Sequence, residues 1–324
     1  MKLPRRKFLH LAAGAAALPV SCVARAQAYP SRPVRIVVPF TPAGGADIAA
    51  RLLAQWLSER LGQQFVVENR PGGGGNIGTE AVVRASPDGY TLLLVLTPNA
   101  VNATLYDKLN FSFIRDIIPV AGISREPNVM EVHPSVPAKT VPEFLAYAKA
   151  NPGKVNMAHP GNGTSPHMAG ELLKMMADVN LVPVPYRGAA PALTDLLGGT
   201  VQVMFATMSS SIEHVRSGKL RPLAVTTAAR SNSLPALPTV GEYVPGYEAS
   251  TWYGIGAPRN TPNEIVEKLN KEINMALADP KMQARFAELG STVLPATSGA
   301  FGKLVAEETE KWGKVVKFAG LKAE

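Results

Sequence analysis

Val34-Arg35-Ile36-Val37-Val38-Pro39-Phe40-Thr41-Pro42-Ala43-Gly44-Gly45-Ala46-Asp47 is the stretch from which the fold can be read. Its first five residues are a mostly β-branched run that Pro39 ends, and small residues and prolines fill the segment behind it. From Asp47 to Leu61 the apolar residues Ile48, Leu52, Leu53, Trp56, Leu57 and Leu61 then recur at helical spacing. A strand, a tight turn and an amphipathic helix in that order are the first step of an α/β fold. Phe65-Val66-Val67 gives a second strand, Thr79 to Ala85 a short helix, and Tyr90 to Leu96 a continuous apolar strand. The β-α-β-α-β order predicts a parallel sheet covered by helices on both faces.

The rhythm returns in the second half. Helices are expected from Thr140 to Asn151, Ser165 to Ala177 and Ala190 to Leu197. They alternate with strands at Val155 to Ala158, Val182 to Pro185 and Val201 to Ala206, and Leu220 to Thr226 adds another. Thr261-Pro262, an N-cap and first-turn pair, opens a helix that runs to Ala278, and a last helix covers about Phe301 to Phe318. A chain of 324 residues, 46% hydrophobic and 18% charged, buries an ordinary core and is long for one minimal domain. Two parallel-sheet lobes are therefore expected, with crossings near Val129 to His133 and Thr251 to Gly256. Lobe 1 would hold residues 29–131 and 252–324, and lobe 2 residues 132–251. In open α/β sheets ligands sit beyond the carboxyl ends of strands, so the loops that follow strands at the cleft matter most.

The formal charge of +8 suggests nucleic acid until it is located. Lys2, Arg5, Arg6, Lys7 and Arg25 all precede residue 29, where there is no acidic residue, and beyond them 28 basic face 25 acidic residues. No basic block is interleaved with aromatics, so no nucleic-acid partner is expected. Lys2 to Lys7, the apolar run Phe8 to Val20 and the small residues at Ala24-Arg25-Ala26 or Ala26-Gln27-Ala28 form a signal peptide over residues 1–28. Arg5-Arg6-Lys7-Phe8-Leu9 looks like a twin-arginine signal for export of a folded chain, with an ordinary Sec signal as the alternative. The location implied is the periplasm, after cleavage near Ala26 or Ala28. Cys22 is the one cysteine and lies in this segment; Val20-Ser21 before it partly matches a lipoprotein site, but Pro19 stands where an aliphatic residue is usual. No later run reaches a transmembrane length.

Two turns carry the candidate chemistry. Pro39 to Asp47 brings small residues and free N–H groups to a helix start, which suits a carboxylate; the bland reading is a tight turn with Asp47 as a plain N-cap. His159-Pro160-Gly161-Asn162-Gly163-Thr164-Ser165-Pro166-His167 occupies the equivalent place in the second half and offers neutral donors at Asn162, Thr164 and Ser165. Ser165 and His167 lie two apart on a helix and do not face each other, and no nucleophile elbow surrounds them. Catalysis is not expected, and His133, His159, His167 and His214 lack metal-ligand spacing, so neither metal nor cofactor is expected. Asn69 to Asn76 is glycine-rich without the Gly-Lys-Ser/Thr ending of a phosphate loop, which leaves a flexible turn on the rim. Tyr186-Arg187-Gly188-Ala189 follows a strand and points at the cleft; Arg187 either pairs with a second ligand carboxylate or is simply solvated.

At these loops the chain resembles the substrate-binding receptors of tripartite tricarboxylate transporters, the Bug receptors, from about Tyr29 to Lys322. The markers are Arg32-Pro33, Val67-Glu68-Asn69-Arg70-Pro71-Gly72, Asn76-Ile77-Gly78, Pro87-Asp88-Gly89-Tyr90-Thr91, Gly161 to His167, Val184-Pro185-Tyr186-Arg187-Gly188 and Asp195-Leu196-Leu197-Gly198-Gly199. The resemblance implies a type II periplasmic-binding fold that holds a small dicarboxylate, tricarboxylate or aromatic acid as a monomer and presents it to permease subunits. Carried over by position, the site is Phe40, Thr41, Ala43, Gly44, Gly45 and Asp47 in the first lobe. In the second it is Gly161, Asn162, Gly163, Thr164, Ser165 and His167, with Tyr186, Arg187, Gly188 and Ala189 nearby.

Three departures stand out. Pro42-Ala43-Gly44-Gly45 shifts the glycines of the first loop, His159-Pro160 replaces small residues, and Ala206 stands where the family often has an aspartate at the distal end. The last makes an amino-acid ligand less expected. A receptor that hands its loaded state to a membrane two-component kinase would have the same fold and pocket, and an enzyme on this scaffold would need a nucleophile, metal set or cofactor fingerprint that the sequence lacks.

Overall fold

The β-branched run becomes strand β1 (Val34–Val38), buried except at Arg35, in a computed structural model that describes residues 29–323. The chain continues through α1 (Gly45–Leu61), β2 (Phe65–Asn69), α2 (Asn76–Val83), β3 (Thr91–Leu96), α3 (Thr97–Leu105), α4 (Phe113–Asp116) and the long β4 (Ile117–Val132). A second series follows: α5 (Val141–Ala150), β5 (Val155–His159), α6 (Ser165–Ala177), β6 (Leu181–Pro185), α7 (Ala189–Leu197), β7 (Val203–Thr207), α8 (Met208–Arg216) and β8 (Arg221–Val225). The chain then returns through β9 (Ser250–Pro258) to α9 (Asn263–Ala278), α10 (Pro280–Glu288), β10 (Thr292–Val293) and α11 (Ser298–Phe318). The signal segment and Cys22 lie outside the described residues.

The strand order β2-β1-β3-β9-β4-β7-β5-β6 contains the same motif twice. β1 runs parallel between β2 and β3, with Ile36 opposite Val67 and Leu92. β5 runs parallel between β6 and β7, with Ala158 opposite Val184 and Met204. The fold is thus α/β and two-lobed, each lobe built on a parallel trio. Its sheet is mixed, however, where a parallel one is expected. β4 carries the chain out of the first lobe and β9 carries it back, so these neighbours run in opposite directions and each adds an antiparallel strand to its trio. β4 pairs with β9 as far as Pro127↔Ser250 and with β7 from Asn128↔Thr207. The change falls at a proline, which has no N–H to give to a ladder.

α11 fastens the returning strand. The indoles of Trp252 on β9 and Trp312 on α11 both donate to Oε2 of Glu308, at 3.0 and 2.8 Å, and Phe301 meets Trp252 edge-on with ring centres 5.9 Å apart. All three aromatic side chains are fully buried, so each contributes on the order of 2–3 kcal/mol of apolar burial, and both indole N–H groups are satisfied. Thr261 does not cap α9 as its sequence position suggests: its hydroxyl donates to the carbonyl of Pro258 at 2.8 Å, and Pro262 holds the cap position.

Candidate functional site

β1 and β5 are the central strands of their trios, and the turns that leave their carboxyl ends face one cleft. Phe40, Thr41, Gly44, Gly45 and Ala46 line it from the first turn, and Pro160, Thr164, Ser165 and Pro166 from the second. The ends of neighbouring strands complete the wall with Leu96, Thr97 and Pro98, with Gly188 and Ala189, and with Met204 and Thr207. Thr251 and Tyr253 of β9 form the floor. The cleft holds about 680 Å³, its open mouth included, and no charged side chain lines it among the described residues.

Five helices begin on this cleft, and at none does the side chain of the N-cap residue cap the start, although in the first turn of α8 the Ser209 N–H is taken by Glu126 Oε2 at 3.1 Å. α1 starts after Gly44, α3 after Leu96, α6 after Thr164, α7 after Gly188 and α8 after Thr207. Away from it, Thr140 caps α5, Asp279 caps α10 and Thr297 caps α11 with side-chain oxygens, while α2, α4 and α9 start uncapped after Gly75, Ser112 and Pro262. Each uncapped start leaves backbone N–H groups without an intrahelical partner and carries about half a positive charge from its dipole. Their convergence suits an anion held by neutral donors.

Two hydroxyls reinforce the donors. Ser165 Oγ accepts from Asn128 Nδ2 at 2.9 Å, and the Oδ1 of Asn128 accepts from Thr251 Oγ1 at 3.1 Å. That chain turns the Ser165 oxygen and leaves its proton free for a ligand. Thr97 Oγ1, fully buried at the start of α3, has no partner among the described residues. Thr164, in contrast, already donates to the carbonyl of Gly161 at 2.7 Å, so its hydroxyl shapes the turn and offers the cleft only lone pairs.

Several residues expected at the site stand beside it. Asp47 turns into the protein, where its carboxylate accepts from Ala43 N at 3.1 Å, Arg51 Nε at 2.9 Å and Asn69 Nδ2 at 3.0 Å. Burial pushes its pKa up, but the bonds from Arg51, Ala43 and Asn69 more than offset this and hold it below the usual value. Arg51 also offsets its charge, so Asp47 fixes the turn without repelling an anion. It lies inside α1, whose N-cap is Gly44, and so is not the cap itself. Ala43 takes a left-handed φ of 65° and points to solvent.

Gly163 has a φ of 74° and packs so tightly on α3 that a Cβ there would lie 3.0 Å from Leu105 and 3.2 Å from Asn102. Its N–H donates to His167 Nδ1 at 3.2 Å, and the ring of His167 stacks on that of His159 with centres 4.0 Å apart. Burial drives both imidazole pKa values down, His159 to about 4 and His167 to about 3, with repulsion from neighbouring positive charge adding to the effect. The pair is a neutral platform under the second turn. Ala206 is fully buried with Ala158, Leu193 and Leu196 and lies outside the cleft lining, so its substitution for aspartate does not place a methyl in the pocket.

Gly161, Asn162, Tyr186 and Arg187 line an outer cavity of about 1420 Å³ that shares Phe40, Thr41, Pro160, Thr164 and Gly188 with the inner cleft. The Tyr186 hydroxyl donates a hydrogen bond to Asp195 Oδ2 at 2.6 Å, and burial together with that carboxylate pushes the phenol up to about 12. Arg187 is exposed and is the one charged residue on this cavity among the described residues. The glycines 72–75, all with positive φ, form the opposite rim. Thr97, Asn128, Met204, Thr207, Thr251 and Tyr253 escaped the sequence reading. Only the start of α3, marked by Thr97-Pro98 after an apolar run, carries a local signal.

Comparison with known proteins accords with this architecture. Residues 49–321 match the family model of the tripartite tricarboxylate transporter family receptor. Protein BugT of Bordetella pertussis is 37% identical over 317 residues, 97% of this chain and 96% of its own. Among solved structures, R. palustris Rpa4515 with adipate superposes with a TM-score of 0.86 at 38% identity, covering 91% of this chain and 99% of that one. MatC from Rhodopseudomonas palustris with bound malate gives 0.82 at 32% identity, covering 89% and 100%. The chain belongs to the tripartite tricarboxylate transporter receptor family, a family of periplasmic substrate-binding receptors and not of enzymes.

Proposed function

We propose that this protein captures a small carboxylate, either a dicarboxylate, a tricarboxylate or an aromatic acid, in the cleft between its lobes and delivers it to the permease subunits of a tripartite tricarboxylate transporter. The observation that carries the reading is the meeting of five helix starts without an N-cap side chain on a cleft without a charged wall. Donors fixed in place lose little entropy on binding, and a neutral wall lets the anion leave again, as delivery requires. The relatives bound to adipate and malate support a carboxylate ligand.

On this reading the lobes comprise residues 29–131 with 252–324, and 132–251. The change of strand partners between Pro127 and Asn128 supports a hinge at β4 and β9. Closure about that hinge would bring the Gly44 and Ser165 turns onto the same carboxylate and present a new surface to the permease. The protein acts in the periplasm as a monomer after loss of residues 1–28.

Deleting the gene in its host and following uptake of radiolabelled acids tests this directly. Uptake of the acid that binds the purified protein should fall, and should return with the wild-type gene but not with a Gly44→Leu gene. Uptake unchanged by the deletion would remove the transport role.

A further inference from the structure

Beneath Gly45, behind the cleft floor, lies a buried carboxyl that anion binding by the helix starts does not use. Glu126 stands on β4, fully enclosed. Its Oε1 is 2.8 Å from the hydroxyl of Tyr253 on β9. Its Oε2 accepts from the backbone N–H of Ser209 on α8 at 3.1 Å and from Ser291 Oγ at 3.5 Å. A Cβ on Gly45 would lie 2.8 Å from Oε1 and 2.7 Å from the Tyr253 oxygen, so only a glycine fits between this pair and the start of α1. Ser124 lines the same small enclosure, and none of the groups facing Glu126 there is charged. Arg125, the next residue on the strand, is directed to Glu248 at 3.8 Å.

Tyr253 belongs to both places: it bonds Glu126 and lines the ligand cleft. A phenol has one proton to give. With Glu126 ionised, that proton goes to Oε1 and the cleft meets only the lone pairs of the tyrosine. With Glu126 protonated, the Ser209 N–H keeps Oε2 an acceptor, so the acid proton sits on Oε1 and is donated to Tyr253. The tyrosine hydroxyl is then free to donate into the cleft. Burial favours the neutral carboxyl and the neutral phenol alike.

We propose that Glu126 is a positioning residue for ligand choice: with its proton in place Tyr253 donates to a second ligand carboxylate, and without it Tyr253 accepts and that carboxylate is refused. The proposal rests on the carboxylate reading above and narrows it to diacids bound together with one proton at Glu126. Ligands that present a hydroxyl or amide N–H at that end do not need the proton.

The test uses adipate and hexanoate, which share a chain length and differ in the second carboxylate, titrated calorimetrically into the purified protein between pH 5.5 and 9. For the wild type, adipate affinity should fall by up to about tenfold per pH unit once Glu126 ionises, while hexanoate affinity stays flat. Glu126→Gln keeps the acceptor for Ser209 and a permanent donor for Tyr253, so it should bind adipate at high pH as the wild type does at low pH. Tyr253→Phe should reduce adipate to the affinity of hexanoate at every pH. A flat adipate profile in the wild type, or a slope that survives in Glu126→Gln, overturns the proposal.

A readout without ligand keeps the two readings apart. The infrared carboxyl band lost on Glu126→Gln should persist in the wild type well above the pH at which ordinary carboxylates ionise. A band that disappears with them overturns the proposal. A persistent band with neither acid bound counts against the carboxylate reading, and the diacid proposal falls with it.

Discussion

Gly44→Leu separates folding from binding. Gly44 has φ −86° and ψ 168°, an extended conformation open to every residue, and the nearest atom to an added Cβ is the Thr41 carbonyl oxygen at 4.0 Å. The fold should accept the side chain. Loss of glycine's freedom in the unfolded chain adds about 0.4–1 kcal/mol, so the melting temperature should hold or rise by a few degrees. The leucine instead fills the cleft wall in front of the free N–H groups of α1. Two charge-assisted hydrogen bonds to the ligand, at about 1.5–3 kcal/mol each, would be lost. The affinity should therefore drop on the order of 10²- to 10⁴-fold. Circular-dichroism melts paired with calorimetric titration of an acid that binds the wild type measure both quantities. A folded Gly44→Leu protein with undiminished affinity would remove the first turn from the site.

The neighbouring Gly45→Ala should behave in the opposite way, losing about 1–3 kcal/mol of stability because its Cβ falls within 2.9 Å of Tyr253, Glu126 and Ser209; an unchanged denaturation midpoint would show that this packing yields easily. Ser165→Ala should weaken binding of every carboxylate by roughly 10- to 100-fold. It should also cost about 1–3 kcal/mol of stability, because Asn128 Nδ2 loses its acceptor; a ligand-selective effect would move Ser165 to the distal end of the pocket. Glu131 on β4, wholly buried and bonded to the Ser211 hydroxyl, is pushed up to about 8 by burial. A folded-state pKa above the unfolded one means that its favourable contribution is complete below about pH 4.5 and declines as the pH climbs to 8, by up to about 1.4 kcal/mol per unit. Glu131→Gln should lack this decline and gain on the wild type between pH 5 and 8, which urea melts at several pH values would register; parallel pH profiles would show that Glu131 is already ionised.

The parts of the fold that announce themselves in sequence are those with a local cause. β1 (Val34–Val38) and α6 (Ser165–Ala177) fall at the residues expected, one because a β-branched run meets Pro39, the other because Pro166 sits in a first turn. β4 gives no such signal. Pro119, Gly122, Glu126, Pro127 and Glu131 interrupt any alternation, and the strand is held by tertiary partners, with Tyr253 bonded to Glu126 and Ser211 to Glu131. α3 carries two Thr and two Asn, and α8 opens on three consecutive Ser after Met208, poor helix formers that packing holds in place. The same division governs the site. The turns at Gly44, Ser165 and Gly188 are legible as small residues after strands, whereas Tyr253 and Thr251 reach the floor, with Asn128 bonded behind it, from crossing strands distant in sequence from all three. Ala206 drew notice by comparison with relatives, yet the chain buries it among Ala158, Leu193 and Leu196.

Binding of a small carboxylate in the cleft is open to direct measurement. Thermal unfolding of the purified protein against monocarboxylates, dicarboxylates, tricarboxylates, aromatic acids and amino acids tests it most directly. A ligand at a hundred times its dissociation constant adds about 2.7 kcal/mol, a shift of several degrees in a chain of this size. One class of acid other than the amino acids should give such a shift, with the acid recovered unchanged. A shift with no acid of any class, or with amino acids alone, would contradict it.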